Sequence, residues 1–110
     1  MTDYTVEQLI QNHEKAFIPE KAEGLDVVIQ YKLTGDEGGD WIINIKDGVC
    51  TVEEGEAESP TMTLNADGRD FGDVLLGKAN GMQYFMEGKI KLAGDLNLAM
   101  KLTSMFKMSG

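Results

Sequence analysis

The sequence predicts an α+β domain in which helices cover one face of a five-stranded, mostly antiparallel mixed sheet. Five segments alternate apolar and polar residues with the two-residue period of half-buried strands. The segments before the first strand, between the last two strands and after the fifth carry apolar residues at helical spacing. The predicted order is α-β-β-β-β-α-α-β-α, and residues 1–110 suffice for one domain.

The first helix is predicted to begin at Thr5, because Thr5 and Gln8 form a capping-box pattern. Pro19 follows its expected end. Its apolar face carries Val6, Leu9, Ile10, His13 and Phe17. We expect His13 to pack or hydrogen-bond on this face rather than to catalyse, since no partner of a catalytic triad is evident.

The first strand is predicted in residues 25–34, where alternate residues from Leu25 to Leu33 are apolar. A hairpin follows around Asp47-Gly48, a preferred two-residue turn. This turn sets Ile45 opposite Cys50 and Ile43 opposite Val52, and Trp41 lies on the same apolar face. The opposite face is predicted to be largely solvated and carries Asn44, Thr51, Ile42 and Glu53. Cys50 is therefore expected to be a small buried residue rather than a nucleophile.

The last two strands are predicted after Pro60, with Met62 and Leu64 inward, and in residues 88–93, with Ile90 and Leu92 inward. Two short helices lie between them, capped by Asp67 and Asn80 and ended by Gly77 and Gly88. A crossover through helices permits these two strands to be parallel.

The final helix is predicted to open near Gly94-Asp95 and to be unusually apolar. One side carries Leu98, Ala99, Leu102, Met105 and Phe106, and another carries Leu96 and Met100. A one-sided sheet of five short strands has limited area for so many apolar side chains. They form either a dense core, which periodicity alone favours, or helices that stand off the sheet around an apolar cavity.

Composition and charge exclude several classes of protein. The apolar fraction is 42%, and no apolar run approaches the roughly 18 residues of a membrane span, so a soluble protein is expected. No secretory signal is visible, and the single cysteine suits a reducing compartment, which predicts the cytoplasm. The net charge of −9 disfavours nucleic acid and broad adsorption to anionic membranes. Residues 1–68 hold 15 acids and 4 bases, whereas residues 69–110 hold 4 acids and 6 bases.

Several blocks of sequence carry a resemblance to a known family. They are Trp41–Gly48, Pro60–Leu64, Asp70-Phe71 and Gly77-Lys78, then a more specific group of Phe85-Met86, Gly88–Leu92, Gly94-Asp95, Leu98–Leu102 and Phe106. In this order and spacing they closely resemble the sterol carrier protein type 2 lipid-binding family over nearly the whole chain.

The resemblance implies a non-enzymatic domain that binds, and transfers or presents, an apolar lipid such as a fatty acid, a sterol-like molecule or a fatty acyl ligand. The lipid would lie between sheet and helices, with the C-terminal helix as a mobile wall. Its predicted contacts are Leu64, Phe71, Leu75, Met82, Phe85, Met86, Ile90, Leu92, Leu98, Met100, Leu102, Met105 and Phe106. If acyl-CoA binds, Lys78, Lys89, Lys91 and Lys101 are the candidates for its phosphates. Many eukaryotic members end in a peroxisomal targeting tripeptide, and this sequence ends Met108-Ser109-Gly110.

Two other functions stay open. A protein-interaction or dimerisation module would use the apolar C-terminal helix, although a monomer with at most transient membrane contact is expected. An enzyme is disfavoured, because the sequence offers no nucleophile with its base, no phosphate loop and no metal cluster, and no cofactor is expected. The run of acids Glu53-Glu54, Glu56 and Glu58 lacks calcium-loop spacing and is expected to be solvated surface.

Overall fold

The strands and helices of the computed structural model, which describes residues 5–106, follow the predicted α+β architecture. The strands are β1 Asp26–Thr34, β2 Gly39–Lys46, β3 Val49–Glu54, β4 Met62–Asp67 and β5 Ile90–Gly94. The helices are α1 Val6–Gln11, α2 His13–Ala16, α3 Gly68–Leu75, α4 Gly81–Met86 and α5 Leu96–Lys101, with 3₁₀ segments at Pro19–Ala22 and Thr103–Met105. No helix within residues 5–106 has the length and apolar character needed to cross a membrane.

The β2–β3 hairpin has the predicted register. Ile45 lies opposite Cys50, and Ile43 lies opposite Val52. Both turn residues have positive φ, 54° at Asp47 and 76° at Gly48, as a two-residue turn that matches the twist of its strands requires. The turn chemistry therefore sets the register of this half of the sheet.

The parallel pair of the sheet is β1 with β4, and the expectation that β4 and β5 could be parallel is wrong. The strand order is β3-β2-β1-β4-β5, with β1–β4 parallel and the other neighbours antiparallel. Ile90, where β5 begins, pairs with Ala66 near the end of β4. The two intervening helices thus return the chain to the end of the sheet that it left, so β5 runs back along β4.

One face of the sheet is the main core, as predicted. Ile29, Tyr31, Ile43, Ile45 and Met62 are fully buried there under the helices. The other face is not uniformly wet, because Gln30 and Ile42 are also buried. The segment after β3 covers them: the Gln30 amide nitrogen lies 3.0 Å from the Gly55 carbonyl oxygen, and its amide oxygen accepts from the Ala57 N–H at 2.7 Å.

The N-terminal helical pattern forms two short helices instead of one. Thr5 caps α1 through the predicted capping box with Gln8. The helix ends at Gln11, and α2 begins at His13, whose ring bonds the Leu9 carbonyl oxygen at 3.0 Å. In an unbroken helix that carbonyl would accept a hydrogen bond from the backbone N–H of residue 13. Here the imidazole ring bonds it instead, at the point where the helix breaks.

Candidate functional site

An apolar cavity of about 390 Å³ lies between the β4–β5 end of the sheet and helices α3, α4 and α5. Its lining consists of Leu64, Phe71, Val74, Asn80, Gly81, Met82, Phe85, Ile90, Leu92, Leu96, Ala99, Met100 and Leu102. Asn80 is the one polar side chain among these lining residues of the described chain. The volume is near the lower end of the range of about 300–1,000 Å³ for small-molecule sites.

The floor of the cavity is the paired face of β4 and β5. Leu64 lies directly opposite Leu92, and Ile90 begins β5 on the same face, because alternate residues of a strand point to one side. Leu64 and Ile90 are buried, and Leu92 is half-buried. The floor is therefore continuous with the main core.

One wall is helix α3, which starts where β4 ends. The Asp67 carboxylate caps it by accepting from the N–H groups of Arg69 and Asp70 at 3.0 and 3.1 Å. Phe71 is buried, with its ring centroid 4.7 Å from that of Tyr31 in the core. This contact holds α3 against the sheet and presents Phe71 to the cavity.

Helix α4 forms the outer wall and contributes no fully buried residue. Asn80 caps it by accepting from the Gln83 N–H at 3.1 Å. A Cβ atom on Gly81 would lie 3.2 Å from a methyl carbon of Val74, so this glycine permits the close approach of α4 to α3. Each of the six residues of α4 is exposed or half-buried.

Helix α5 forms the remaining wall and is fixed at both ends. At its start Gly94 has a φ of 91°, and a Cβ atom there would lie 2.5 Å from the Thr61 carbonyl oxygen. Beyond its end Met105 and Phe106 are buried, and the Met105 carbonyl oxygen accepts from the Ile18 N–H at 2.8 Å. The C-terminal segment is thus tied to the N-terminal one.

The structure brings eight of the thirteen predicted contact residues to the cavity. They are Leu64, Phe71, Met82, Phe85, Ile90, Leu92, Met100 and Leu102. Among the other five, Leu75, Leu98, Met105 and Phe106 lie in the core, and Met86 is exposed to solvent. The eight lining residues are the candidate ligand contacts, and their contact with a ligand stays a prediction.

For Leu98, the difference arises from the rotation of α5. Its core side carries Leu98, whereas Leu96, Ala99 and Met100 face the cavity. The sequence places Leu96 and Met100 on a second apolar side, and that side indicates part of the cavity wall. Ala99 and Leu102, from the first side, also line the cavity. Val74, Asn80 and Gly81 also line the cavity and were missed, because their role depends on how α4 approaches α3.

The titratable groups of the core are held neutral. The Leu9 carbonyl can only accept, so His13 Nδ1 donates to it, and Nε2 accepts from the Tyr31 hydroxyl at 3.0 Å. Burial lowers the pKa of His13 to about 4 and raises that of Tyr31 above its ordinary value. Burial, and next Glu14, raise the pKa of the Cys50 thiol to about 12. His13 is thus a neutral core residue with both ring nitrogens hydrogen-bonded, and Cys50 is a protonated thiol.

The four lysines suggested for phosphate binding are all exposed. The Lys89 Nζ lies 3.6 Å from Glu87 Oε1 and 4.5 Å from the ring centroid of Tyr84. Lys91 lies on β5 between the cavity-facing residues Ile90 and Leu92, so its side chain points to the other side of the sheet. Among residues 5–106, no group of three His, Cys, Asp or Glu side chains is placed to hold a metal ion.

The buried His13 predicts a loss of stability at acidic pH. Its pKa is 6.5 when unfolded and about 4 when folded, so the unfolded chain binds the proton more tightly. The free energy of unfolding should fall as the pH drops from about 6.5 to about 4, by on the order of 3 kcal/mol from this group. Urea unfolding across this range should show a shallower dependence in His13→Gln, and identical slopes would contradict the prediction.

The geometry defines an α+β domain with an apolar cavity between a mixed sheet and its helices. The model of the SCP-2 sterol transfer family matches residues 6–107. The chain belongs to this family.

Two relatives illustrate the likeness. The chain is 36% identical over 76 residues to hydroxysteroid dehydrogenase-like protein 2 of Xenopus tropicalis. The aligned region is 68% of this chain and 18% of that protein. The sterol carrier protein 2-like 2 of Aedes aegypti is 25% identical in a crystal structure, with a TM-score of 0.75 and coverage of 93% of this chain and 94% of that one. A solution structure of the same mosquito protein in palmitated form has a TM-score of 0.73, with 94% and 93% coverage at 25% identity. The chain spans 18–22% of the length of the dehydrogenase-like relatives.

Proposed function

We propose that this chain binds a lipid with one elongated apolar chain in the cavity and transfers or presents it without catalysis. The observation that carries the proposal is the cavity of about 390 Å³, whose lining includes a single polar side chain among the described residues. Membership of the family supports lipid binding in general. The palmitated state of the mosquito relative supports a fatty acid as the ligand class.

The cavity suits a slim ligand. Burial contributes about 0.8 kcal/mol per methylene, so about ten buried methylenes contribute on the order of 8 kcal/mol. Association costs an estimated ~4–15 kcal/mol, so chain burial offsets a large part of this cost. A cavity near the small end of ligand sites favours a single acyl chain over a two-chain phospholipid. Met82 and Met100 adapt to ligands of different shape, so specificity should be loose.

The polar end of the ligand would lie at the open side of the cavity, near Asn80. The Asn80 amide oxygen already accepts from the Gln83 N–H, which leaves its NH₂ group directed to a ligand or to water. The protein carries a net charge of −9, so an uncharged or singly acidic lipid fits better than coenzyme A, with its several phosphates.

The absence of catalysis is part of the proposal. The two candidate reactive groups, His13 and Cys50, are buried in the core, and neither belongs to the cavity lining. The dehydrogenase-like relatives are several times longer than this chain, and their names describe the whole proteins. A cytoplasmic location also stays a proposal, supported by the single buried cysteine.

The wall that admits the ligand is, in this proposal, helix α4. Helix α5 is anchored at its start by the close packing of Gly94 against Thr61, and beyond its end by the buried Met105 and Phe106. All residues of α4 are exposed or half-buried, so its outward movement breaks few core contacts. This assigns the mobile wall to α4 instead of the C-terminal helix that the family resemblance suggested.

Native mass spectrometry with lipid extraction tests the proposal. Protein purified without detergent should carry a mass adduct that extraction identifies as a fatty acid or another single-chain lipid. Stripped protein should bind a fluorescent fatty acid, and palmitate should displace it. The proposal fails if no adduct is found and neither fatty acids nor sterols displace the probe.

A further inference from the structure

An apolar patch surrounds the mouth of the cavity. Within residues 5–106, the exposed large apolar side chains are Val49, Met82, Phe85, Met86, Leu96 and Met100. All except Val49 belong to α4 and α5, and four of them also line the cavity. We call these five residues of α4 and α5 the mouth patch.

We infer that the mouth patch docks on the surface of a zwitterionic phospholipid bilayer and delivers lipid directly between bilayer and cavity. This rests on the lipid-binding function proposed above.

The first argument is continuity between the patch and the cavity. Met82, Phe85 and Met100 are each exposed to solvent and in contact with the cavity. A lipid that leaves through the mouth therefore meets apolar side chains on the protein surface before it meets water. A bilayer seated on the patch would keep the acyl chain out of water throughout the transfer.

The second argument is area. Five partly exposed side chains present on the order of 500 Å², in the range where an exposed apolar patch on a monomer is often functional. A stable dimer buries about 800 Å² on each partner. The patch is thus small for a lasting protein interface and suits reversible insertion of a few side chains into a membrane surface.

The third argument is charge. Residues 69–106, which supply every lining residue except Leu64, hold five basic and four acidic side chains, a net of +1. Residues 5–68 hold four basic and fourteen acidic side chains, a net of −10. The segment that carries the patch and nearly all of the lining is therefore nearly balanced in charge, in an otherwise acidic protein. A zwitterionic headgroup layer, with phosphate and amine charges in equal number, suits such a segment, whereas an anionic surface repels the acidic remainder of the molecule.

The aromatic and basic residues beside the patch suit an interfacial position. Tyr84 is half-buried in α4, and the Lys89 ammonium lies 4.5 Å from its ring centroid. Tyrosine rings and lysine side chains with an apolar stem and a polar end are the residues that accumulate at membrane–water interfaces. This pair would lie at headgroup level when α4 contacts the bilayer.

Met86 separates docking from ligand binding. It retains 79% of its surface in contact with solvent, and it is not part of the cavity lining. Met86→Glu should reduce partitioning to phosphatidylcholine vesicles about tenfold, the change expected when one large apolar side chain no longer leaves water. Val49→Glu is the matched control, because Val49 is 57% exposed in β3, at the opposite edge of the sheet from β5.

Vesicle co-flotation and soluble fluorescent fatty acid binding should be measured on the wild type, Met86→Glu, Met86→Ser and Val49→Glu. We expect flotation of both Met86 variants to be reduced, about tenfold for Met86→Glu, and Val49→Glu to float like the wild type. All four proteins should bind the fatty acid equally. Added salt and a fraction of anionic lipid should not strengthen flotation. Flotation that is absent in the wild type or unchanged in both Met86 variants overturns the docking proposal, while retained fatty acid binding leaves the proposed function standing.

Self-association through the patch would also overturn the proposal. Sedimentation velocity would then show a dimer of the wild type that Met86→Glu dissociates. If the wild type instead binds no fatty acid in the soluble assay, the failure belongs to the proposed function.

Discussion

Ala99→Trp should reduce the affinity for a fatty acid about a hundredfold while leaving the protein folded. Ala99 is half-buried in α5 and lines the cavity, so an indole ring at this position occupies space that an acyl chain would fill. A ligand that loses the burial of about four methylenes loses roughly 3 kcal/mol of binding free energy. Each ~1.4 kcal/mol is a tenfold change in Kd, which gives the expected factor. Titration with a fluorescent fatty acid measures it.

Ala93→Trp is the matched control for this prediction. Ala93 is exposed on β5, on the strand face opposite the cavity-facing Leu92. The Ala93→Trp variant should bind the fatty acid with wild-type affinity. The melting temperature of Ala99→Trp should equal or exceed that of the wild type, because added apolar atoms fill an existing space. Wild-type affinity in Ala99→Trp would show that the cavity is not the lipid site.

Gln30→Leu should lower the free energy of unfolding by about 3 kcal/mol, since buried donors and acceptors left unpaired each cost ~1–3 kcal/mol. Gln30 is 1% exposed, and its amide nitrogen lies within 3.2 Å of the carbonyl oxygens of Tyr31, Trp41 and Gly55. Its amide oxygen accepts from the Ala57 N–H at 2.7 Å. Leucine leaves the Gly55 carbonyl and the Ala57 N–H without this partner.

Thermal unfolding should show the loss of stability as a decrease in melting temperature of roughly 10–15 °C. Asn44→Leu is the control, since Asn44 lies on the same sheet face and makes a solvent-exposed bond to Glu53 at 3.0 Å. Its replacement should change stability by no more than about 0.5 kcal/mol. Equal melting temperatures for Gln30→Leu and the wild type would show that the amide does not hold the segment after β3.

Local sequence patterns predicted most of the elements. The hairpin register follows from Asp47-Gly48, and the starts of α1, α3 and α4 follow from the caps at Thr5, Asp67 and Asn80. These signals act over two to four residues, so they can be read without knowledge of distant neighbours. The burial of Gln30 had no such signal. It is a polar residue in an alternating strand, and only the segment after β3, 25–27 residues away, covers it.

The candidate cavity was predicted in outline and not in its details. Leu64, Phe71, Ile90 and Leu92 were expected at the cavity, because strand alternation and helix spacing set which way each side chain points. The α5 wall depended on the rotation of that helix, which the buried Leu98 sets. Periodicity showed two apolar sides of α5 without showing which of them would meet the sheet.

By itself, therefore, the sequence determined the class of fold, the strand register of the hairpin and the excess of apolar side chains in α4 and α5. Tertiary structure decided the parallel pairing of β1 with β4, the covered second face of the sheet and the choice between dense core and cavity. The physical reason is that local propensities act within a few residues, whereas packing depends on how whole elements approach. Anchored at both ends, α5 packs Leu98 into the core, and the other apolar residues of α4 and α5 surround a space instead of filling it.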